Sequence, residues 1–207
     1  MATSKTTAKI TPAEPRLKVQ YKKEILPALM KQLELGNVHQ APKLEKVVVS
    51  VGIGKHKDDK AYHERVVTTL KKITGQQPVD RMAKKSIATF KIRAGMNRVG
   101  VSVTLRGARM YEFTDRLINI ALPRVRDFHG VKSKAFDDGG NFSLGITEQS
   151  IFPELSFEDT QVLHGMQINF TIKNQGINDS RALLAAFGMP FEKTEADNIS
   201  ATKGKEA

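Results

Sequence analysis

Between Arg81 and Arg98 the chain carries Arg81, Lys84, Lys85, Lys91, Arg93 and Arg98 and no acidic side chain. Cations gathered in this way neutralise phosphates and release the counterions condensed on a nucleic acid, and Phe90 among them offers a face for base stacking. A solvated basic loop is the plain alternative, since charge runs are commonly hydrated surface. A second group is polar but uncharged. Ser50 and Thr104 point away from the apolar residues of their own predicted strands, and Gln76 begins a short predicted strand nearby. Small hydroxyl and amide groups on an uncovered sheet form a platform for RNA sugars and base edges, although any solvent-facing strand position is normally polar. Arg106 shares the outward side of Thr104. A third group, Arg124, Arg126 and His129, follows a predicted helix end, where cations complement the helix dipole or meet phosphate.

Catalytic and metal-binding constellations are missing from the sequence. With no cysteine, thiol nucleophiles, disulfides and Cys-based zinc sites are excluded. Gly52, Gly54 and Lys55 resemble a phosphate loop superficially, but the spacing fails and His56 stands where Ser or Thr is required, so a strand-end turn is expected. His39, His56, His63, His129 and His164 are scattered without metal-ligand spacing, and Asp137 and Asp138 lack the periodicity of a calcium loop. The expectation is a non-enzyme with no metal and no cofactor. A phosphate-handling enzyme built on Gly52, Gly54 and Lys55 is the rival from another class; an interaction protein with an acidic tail is a second.

The elements that must position these residues follow from periodicity. Leu17, Tyr21, Ile25, Leu29 and Leu33 recur every four residues as the stripe of an amphipathic helix, interrupted by Pro27 and closed by Gly36-Asn37. Val47, Val49, Val51 and Ile53 alternate as a strand. Asp58-Asp59 start a helix that runs to about Thr74 and stops at Gly75, and Gln76 to Arg81 follows as a short strand. Val101, Val103 and Leu105 point inward from a strong strand, opposite Ser102, Thr104 and Arg106. Met110, Phe113, Leu117 and Ile120 or Ala121 mark a helix that Pro123 terminates. A turn at Asp137 to Asn141 leads to a strand near Phe142 to Ile146; Met166, Ile168, Phe170 and Ile172 form the last strand; and Asp179 caps a final helix ended by Gly188. This predicts one α+β domain over 16–193, an antiparallel or mixed sheet with helices on one face, between a disordered extension over 1–15 and a polar tail over 194–207.

The bulk numbers agree with a polyanion partner. The 207 residues are enough for one core, and the formal net charge is +11. Residues 150–207 carry five basic and eight acidic side chains, so the cationic excess belongs entirely to the preceding part of the chain. No apolar run approaches the roughly 18 residues of a membrane span, and Met1 to Pro15 lacks the apolar core of a secretory signal.

Several long motifs, in order, are similar to one family. They include the run from Val103 to Phe113 (VTLRGARMYEF), Leu122 to Phe128 (LPRVRDF), Lys84 to Ile87 (KKSI) and Phe90 to Arg93 (FKIR). Gly140 to Ser143 (GNFS), Ile151 to Glu154 (IFPE) and Arg181 to Leu184 (RALL) continue the match, and the similarity as a whole spans roughly Arg16 to Lys193. The chain thereby resembles the family of bacterial large-subunit ribosomal protein number five. The resemblance implies an α+β fold like RNA-recognition modules and a cytoplasmic place in the ribosome. Its implied partners are 5S rRNA in the central protuberance, P-site tRNA, neighbouring large-subunit proteins and rRNA, and a small-subunit head protein across an inter-subunit bridge. The family's 5S-recognition positions match Gln76, Thr104 and Ser50, serine standing where asparagine is usual. Its tRNA-contacting loop matches Arg81 to Phe90, with Lys84, Lys85 and Ser86 within it.

Overall fold

Residues 14–56, 59–173 and 176–192 are described by a computed structural model. Residues 1–13 of the expected N-terminal extension, Asp58, Lys193 and the expected tail over 194–207 lie outside the described residues. Alternation of apolar and polar residues builds the central strands. In β1 (Lys43–Gly52), Val47, Val49 and Val51 are buried, whereas Val48 and Ser50 occupy the opposite face. β3 (Arg98–Leu105) buries Val101, Val103 and Leu105, and β5 (Met166–Lys173) buries Met166, Ile168, Phe170 and Ile172. With β2 (Val79–Met82) and β4 (Phe142–Ile146) they form one sheet in the order β2-β3-β1-β5-β4. Every pairing is antiparallel, which decides between the antiparallel and mixed alternatives. The register puts Val49 between Val103 and Ile168, and Phe170 between Val47 and Phe142, so the apolar sides all point one way. Each such fully buried side chain stabilises the fold by about 1.5–3 kcal/mol.

Helices cover that apolar face. The opening helix runs through α1 (Arg16–Gln20), a wider π-helical turn (Tyr21–Ile25) and α2 (Leu26–Gln32). Leu17, Tyr21, Ile25 and Leu29 are all buried. Their strict spacing of four overshoots the 3.6-residue period, and the wider turn absorbs the drift, keeping all four on one side. The change of pitch comes immediately before Pro27, where Leu26 N–H donates to Tyr21 O, five residues back. The helix ends at Gln32, earlier than the expected Gly36-Asn37, because Glu34 takes a left-handed backbone (φ 50°) that turns the chain away.

Helix α3 (Lys60–Thr74) begins where the Asp59 carboxylate accepts from Tyr62 N–H at 3.1 Å. It stops at Gly75, whose φ of 65° suits glycine alone at little cost. Helix α4 (Gly107–Arg116) widens over Leu117–Ala121 and closes in a 3-10 turn with Pro123 (Leu122–Arg124). Of the two candidates for its last core position, Ala121 is buried and Ile120 is exposed. A short helix α5 (Phe157–Thr160), held by a reciprocal Ser156–Asp159 cap, was not expected from periodicity. Helix α6 (Ile177–Ala186) starts at Gly176, so Asp179 lies in its first turn instead of capping it; the left-handed Gly188 (φ 90°) follows its end. Ion pairs tie the helical layer together: Arg16 Nη2 to Asp115 Oδ1 at 2.7 Å, and Arg116 to Glu154. The all-antiparallel sheet with helices on one face is compatible with a likeness to RNA-recognition modules.

Candidate nucleic-acid interface

The core gathers the inner face of the sheet with the helices, and the outer-face residues Val48, Ser50, Thr104, Gln167 and Asn169 stand outside it. On that outer face the strands align polar groups in rows. Ser50 lies opposite Ser102 on one side and Gln167 on the other, and Gln167 opposite Gly145. Thr104 lies opposite Val48, which lies opposite Asn169, which lies opposite Ser143. The hydroxyl of Ser50 makes only a long hydrogen bond, 3.4 Å, to Gln167 O.

Gln76 is not on a strand. Strand β2 begins three residues later, at Val79, after Pro78, which has no N–H to donate to a ladder. Gln76 instead sits just past the end of α3 and donates from Nε2 to Thr104 O at 3.2 Å, while its N–H and carbonyl both engage the Thr74 hydroxyl at 3.3 Å. Ser50 and Thr104 therefore share the outer face on neighbouring strands, and Gln76 is tied to the Thr104 carbonyl from just past the end of α3. Three glycines of the same face surround Ser50: Gly52 two residues on, Gly100 opposite Gly52, and Gly145 next to Gln167. Gly52 and Gly100, together with Gly165, line a hollow of about 620 Å³ beside Ser50, the kind of surface on which another chain's backbone can lie close.

The cations do not form one patch. Lys84, Lys85, Ser86, Phe90, Lys91 and Arg93 occupy the connection between β2 and β3, at one edge of the sheet, and all are exposed. That connection is ordered as a hairpin: Ile87 N–H donates to Ile92 O at 2.9 Å and Ile92 N–H to Ile87 O at 3.1 Å. Ser86 Oγ accepts from Ala94 N–H at 3.0 Å, which shows the serine shaping the loop. Phe90 is 64% exposed, as a stacking ring must be. Arg81 and Arg98, at the hairpin's root, are engaged within the protein: Arg81 Nε donates to Ser102 Oγ at 2.6 Å and Arg98 Nε to Asp80 Oδ2 at 3.1 Å. Arg106 stands at the other end of β3, 3.5 Å from Glu45 Oε1.

Arg124, Arg126 and His129 lie beyond the opposite edge of the sheet. With Lys132 they line a groove of about 850 Å³ whose other wall is β4. Gly130 fixes this wall: its φ is 110°, and a Cβ there would come within 2.8 Å of the Glu192 backbone. Val131 N–H donates to Pro190 O at 2.8 Å and Glu192 N–H to Val131 O at 2.9 Å, so the chain after α6 braces the groove.

The β4–β5 connection is fastened from below. Gln149, fully buried, donates to Val162 O at 2.8 Å and accepts from His164 N–H at 2.7 Å. Burial pushes the His164 ring below the usual histidine range. Lys72 donates to Asp159 Oδ2 at 2.6 Å and Ser156 adds a second donor, which together hold the Asp159 carboxyl below the usual carboxylate range.

Sequence reasoning missed Gln167, Asn169 and Ser143 on the outer face. The alternation of β5 would have found the first two, since they sit between its buried residues.

Polar groups displayed across an open sheet, with a basic hairpin at its edge, define a cationic α+β binding protein whose side chains are spread over a surface. Comparison with known proteins makes this specific. Residues 37–93 match the family model for ribosomal protein L5, and residues 98–191 match the model for the C-terminus of the same ribosomal family. The chain belongs to the ribosomal protein L5 family. It is 52% identical over 178 residues to the large ribosomal subunit protein uL5 of Alkaliphilus oremlandii, covering 86% of this chain and 99% of that one. Against the uL5 of Synechococcus sp. (strain JA-2-3B'a(2-13)) it is 51% identical over 176 residues, 85% of this chain and 97% of the relative. Against that of Thermotoga sp. (strain RQ2) it is 50% identical over 177 residues, 86% and 96% respectively. It is accordingly a structural constituent of the large ribosomal subunit, placed with ribosomal RNA and other ribosomal components in the cytoplasm, and not an enzyme.

Proposed function

We propose that the open sheet face binds 5S rRNA and helps to anchor it in the central protuberance, while the hairpin from Arg81 to Phe90 contacts tRNA in the peptidyl site. The chain also contributes to an inter-subunit bridge with a protein of the small-subunit head. The observation that carries this reading is the placement of Ser50 and Thr104 on one face, with Gln76 bonded to the Thr104 carbonyl and Ser50 lining a hollow with Gly52, Gly100 and Gly165. A-form RNA presents 2′-hydroxyls and base edges in a wide, shallow groove, and short neutral donors and acceptors on a flat surface fit that groove. The hairpin suits a different task. Its lysines and arginines meet phosphates without regard to sequence, and Phe90 supplies a stacking face. Serine at position 50 reaches less far than an amide, so the glycines around it, which let an RNA backbone approach closely, compensate for its length. The test is a gel shift of the full chain with 5S rRNA against a control RNA of equal length at fixed salt. Tighter binding of 5S rRNA is expected; equal shifts for both RNAs mean that charge alone is at work and the reading is wrong.

A further inference from the structure

We propose that His63, Asp80 and Arg98 form a clamp that aims the basic hairpin, acting as positioning residues at its root. The purpose assigned to the clamp rests on the reading of this hairpin as the tRNA contact; the clamp itself rests on geometry alone.

In the segment 83–97 only Ala83, Ile92 and Asn97 escape full exposure, and none of these residues belongs to the core. Hydrogen bonds inside the segment keep its shape: Ala83 N–H donates to Asn97 O at 3.0 Å, and Gly95 N–H to Ala83 O at 2.9 Å. Such bonds set no direction relative to the sheet. Packing sets none either, because nothing apolar in the segment is buried against the body. Side-chain bonds that fasten it to the body are found where it leaves the sheet.

At that root three elements meet. His63 on α3 lies with Nε2 2.8 Å from Asp80 Oδ1 on β2. Asp80 Oδ2 accepts from Arg98 Nε on β3 at 3.1 Å, and Arg98 Nη1 stands 3.5 Å from His63 Nδ1. The roles close into a ring. Arg98 donates twice, Asp80 accepts twice, and His63 closes the ring by donating from Nε2 and accepting at Nδ1. His63 is the most sheltered of the three, its side chain 13% exposed against 31% for Asp80 and 45% for Arg98. The ring is thus partly shielded from water and holds better than an open surface pair. The next residue, Arg81, grips the other face of the sheet through Ser102 Oγ at 2.6 Å. Strand β2 is only four residues long, and these two grips hold it on both faces just before its register slips between Arg81 and Met82. Arg81 and Arg98 therefore work as root fasteners, and Lys84, Lys85, Lys91 and Arg93 are the exposed cations of the hairpin.

The experiment is amide hydrogen exchange of the full chain, comparing His63→Leu with His63→Gln. A glutamine amide places a donor and an acceptor about as far apart as the two ring nitrogens, so it can rebuild the ring; leucine fills the space and can do neither. His63→Leu is expected to speed exchange at Ala83, Ile87, Ile92 and Gly95 by up to about tenfold, while His63→Gln stays close to the parent. Amides of Val49 and Ile168 should not change in either variant. Nitrogen-15 NMR of the parent should show the His63 ring protonated at Nε2. Leucine and glutamine variants that exchange alike, or a ring protonated at Nδ1, overturn the clamp. Crosslinking of the hairpin to tRNA in assembled ribosomes separates the two readings. A hairpin loosened by His63→Leu with an undiminished crosslink upholds the clamp and removes the tRNA role assigned to the hairpin's aim.

Discussion

The open face and the basic hairpin are built in opposite ways. The face is drawn from four strands whose far side is the hydrophobic core, so each of its polar groups is held by residues such as Val49, Val103 and Ile168 that cannot move without unfolding the sheet. It carries little charge. The hairpin carries four outward cations and Phe90, buries almost nothing, and depends on its root for direction. Hydrogen-bond recognition needs atoms fixed to within a fraction of an ångström, whereas phosphate attraction acts over a Debye length of about 8 Å and tolerates movement. Groups backed by the core and exposed cations thus suit different tasks.

The largest effect that could break this comparison is on stability. Phe170 is fully buried between Val47 and Phe142, and Phe170→Ala should cost about 3–5 kcal/mol, whereas Phe90→Ala should change stability by no more than about 0.5 kcal/mol. Urea unfolding of the two variants measures both. A comparable loss in Phe90→Ala would mean that the hairpin has a core of its own. Next comes binding by the hairpin: the double change Lys84→Ala, Lys85→Ala should weaken tRNA contact by about tenfold at moderate salt and leave 5S rRNA binding within about twofold. Loss of 5S binding with intact tRNA contact would exchange the roles of the two regions.

A smaller, pH-dependent effect sharpens the contrast, because the β4–β5 connection carries two groups, His164 and Asp159, whose proton affinity the fold lowers. His164 is held neutral in the fold, so the unfolded chain gains a proton first, and stability should fall as pH drops through 6.5. Asp159 has a lowered value in the fold; its contribution is complete above the ordinary value of 3.8 and is lost as pH falls further, through its folded value. His164→Phe should remove the first decline and Asp159→Asn the second, in thermal unfolding followed across pH. Declines that persist in both variants would place the ionisable fasteners elsewhere.

The sequence showed much of the face and little of its support. Strands β1, β3 and β5 announce themselves because their apolar residues recur on one side, so Val47, Val101 and Ile168 mark the period and Ser50 and Thr104 fall opposite them. Gln76 was expected to begin a short strand beside this face, and it lies outside the strands instead. Its position depends on a bond to Thr104 O across a separation of 28 residues, which no local pattern encodes. The same holds for the ring of His63, Asp80 and Arg98, whose members are 17 and 35 residues from one another. Helix α5 is too short to show a period, though Ser156 followed three residues later by Asp159 is a helix-start signal that periodicity alone overlooks. Asp179 looked like a cap because capping residues are also common in the first turn, where their charge favours the dipole; Gly176 in fact occupies the cap.

The division of labour is tested most directly by a salt titration of 5S rRNA binding by the full chain, comparing the parent with Gln76→Ala, Thr104→Ala. Lost hydrogen bonds should lower affinity by about tenfold to a hundredfold at every salt concentration, with the slope of log affinity against log salt unchanged. An unaltered affinity, or a loss that comes with a shallower slope, would contradict the account by showing that 5S rRNA is held through phosphates and not by the face.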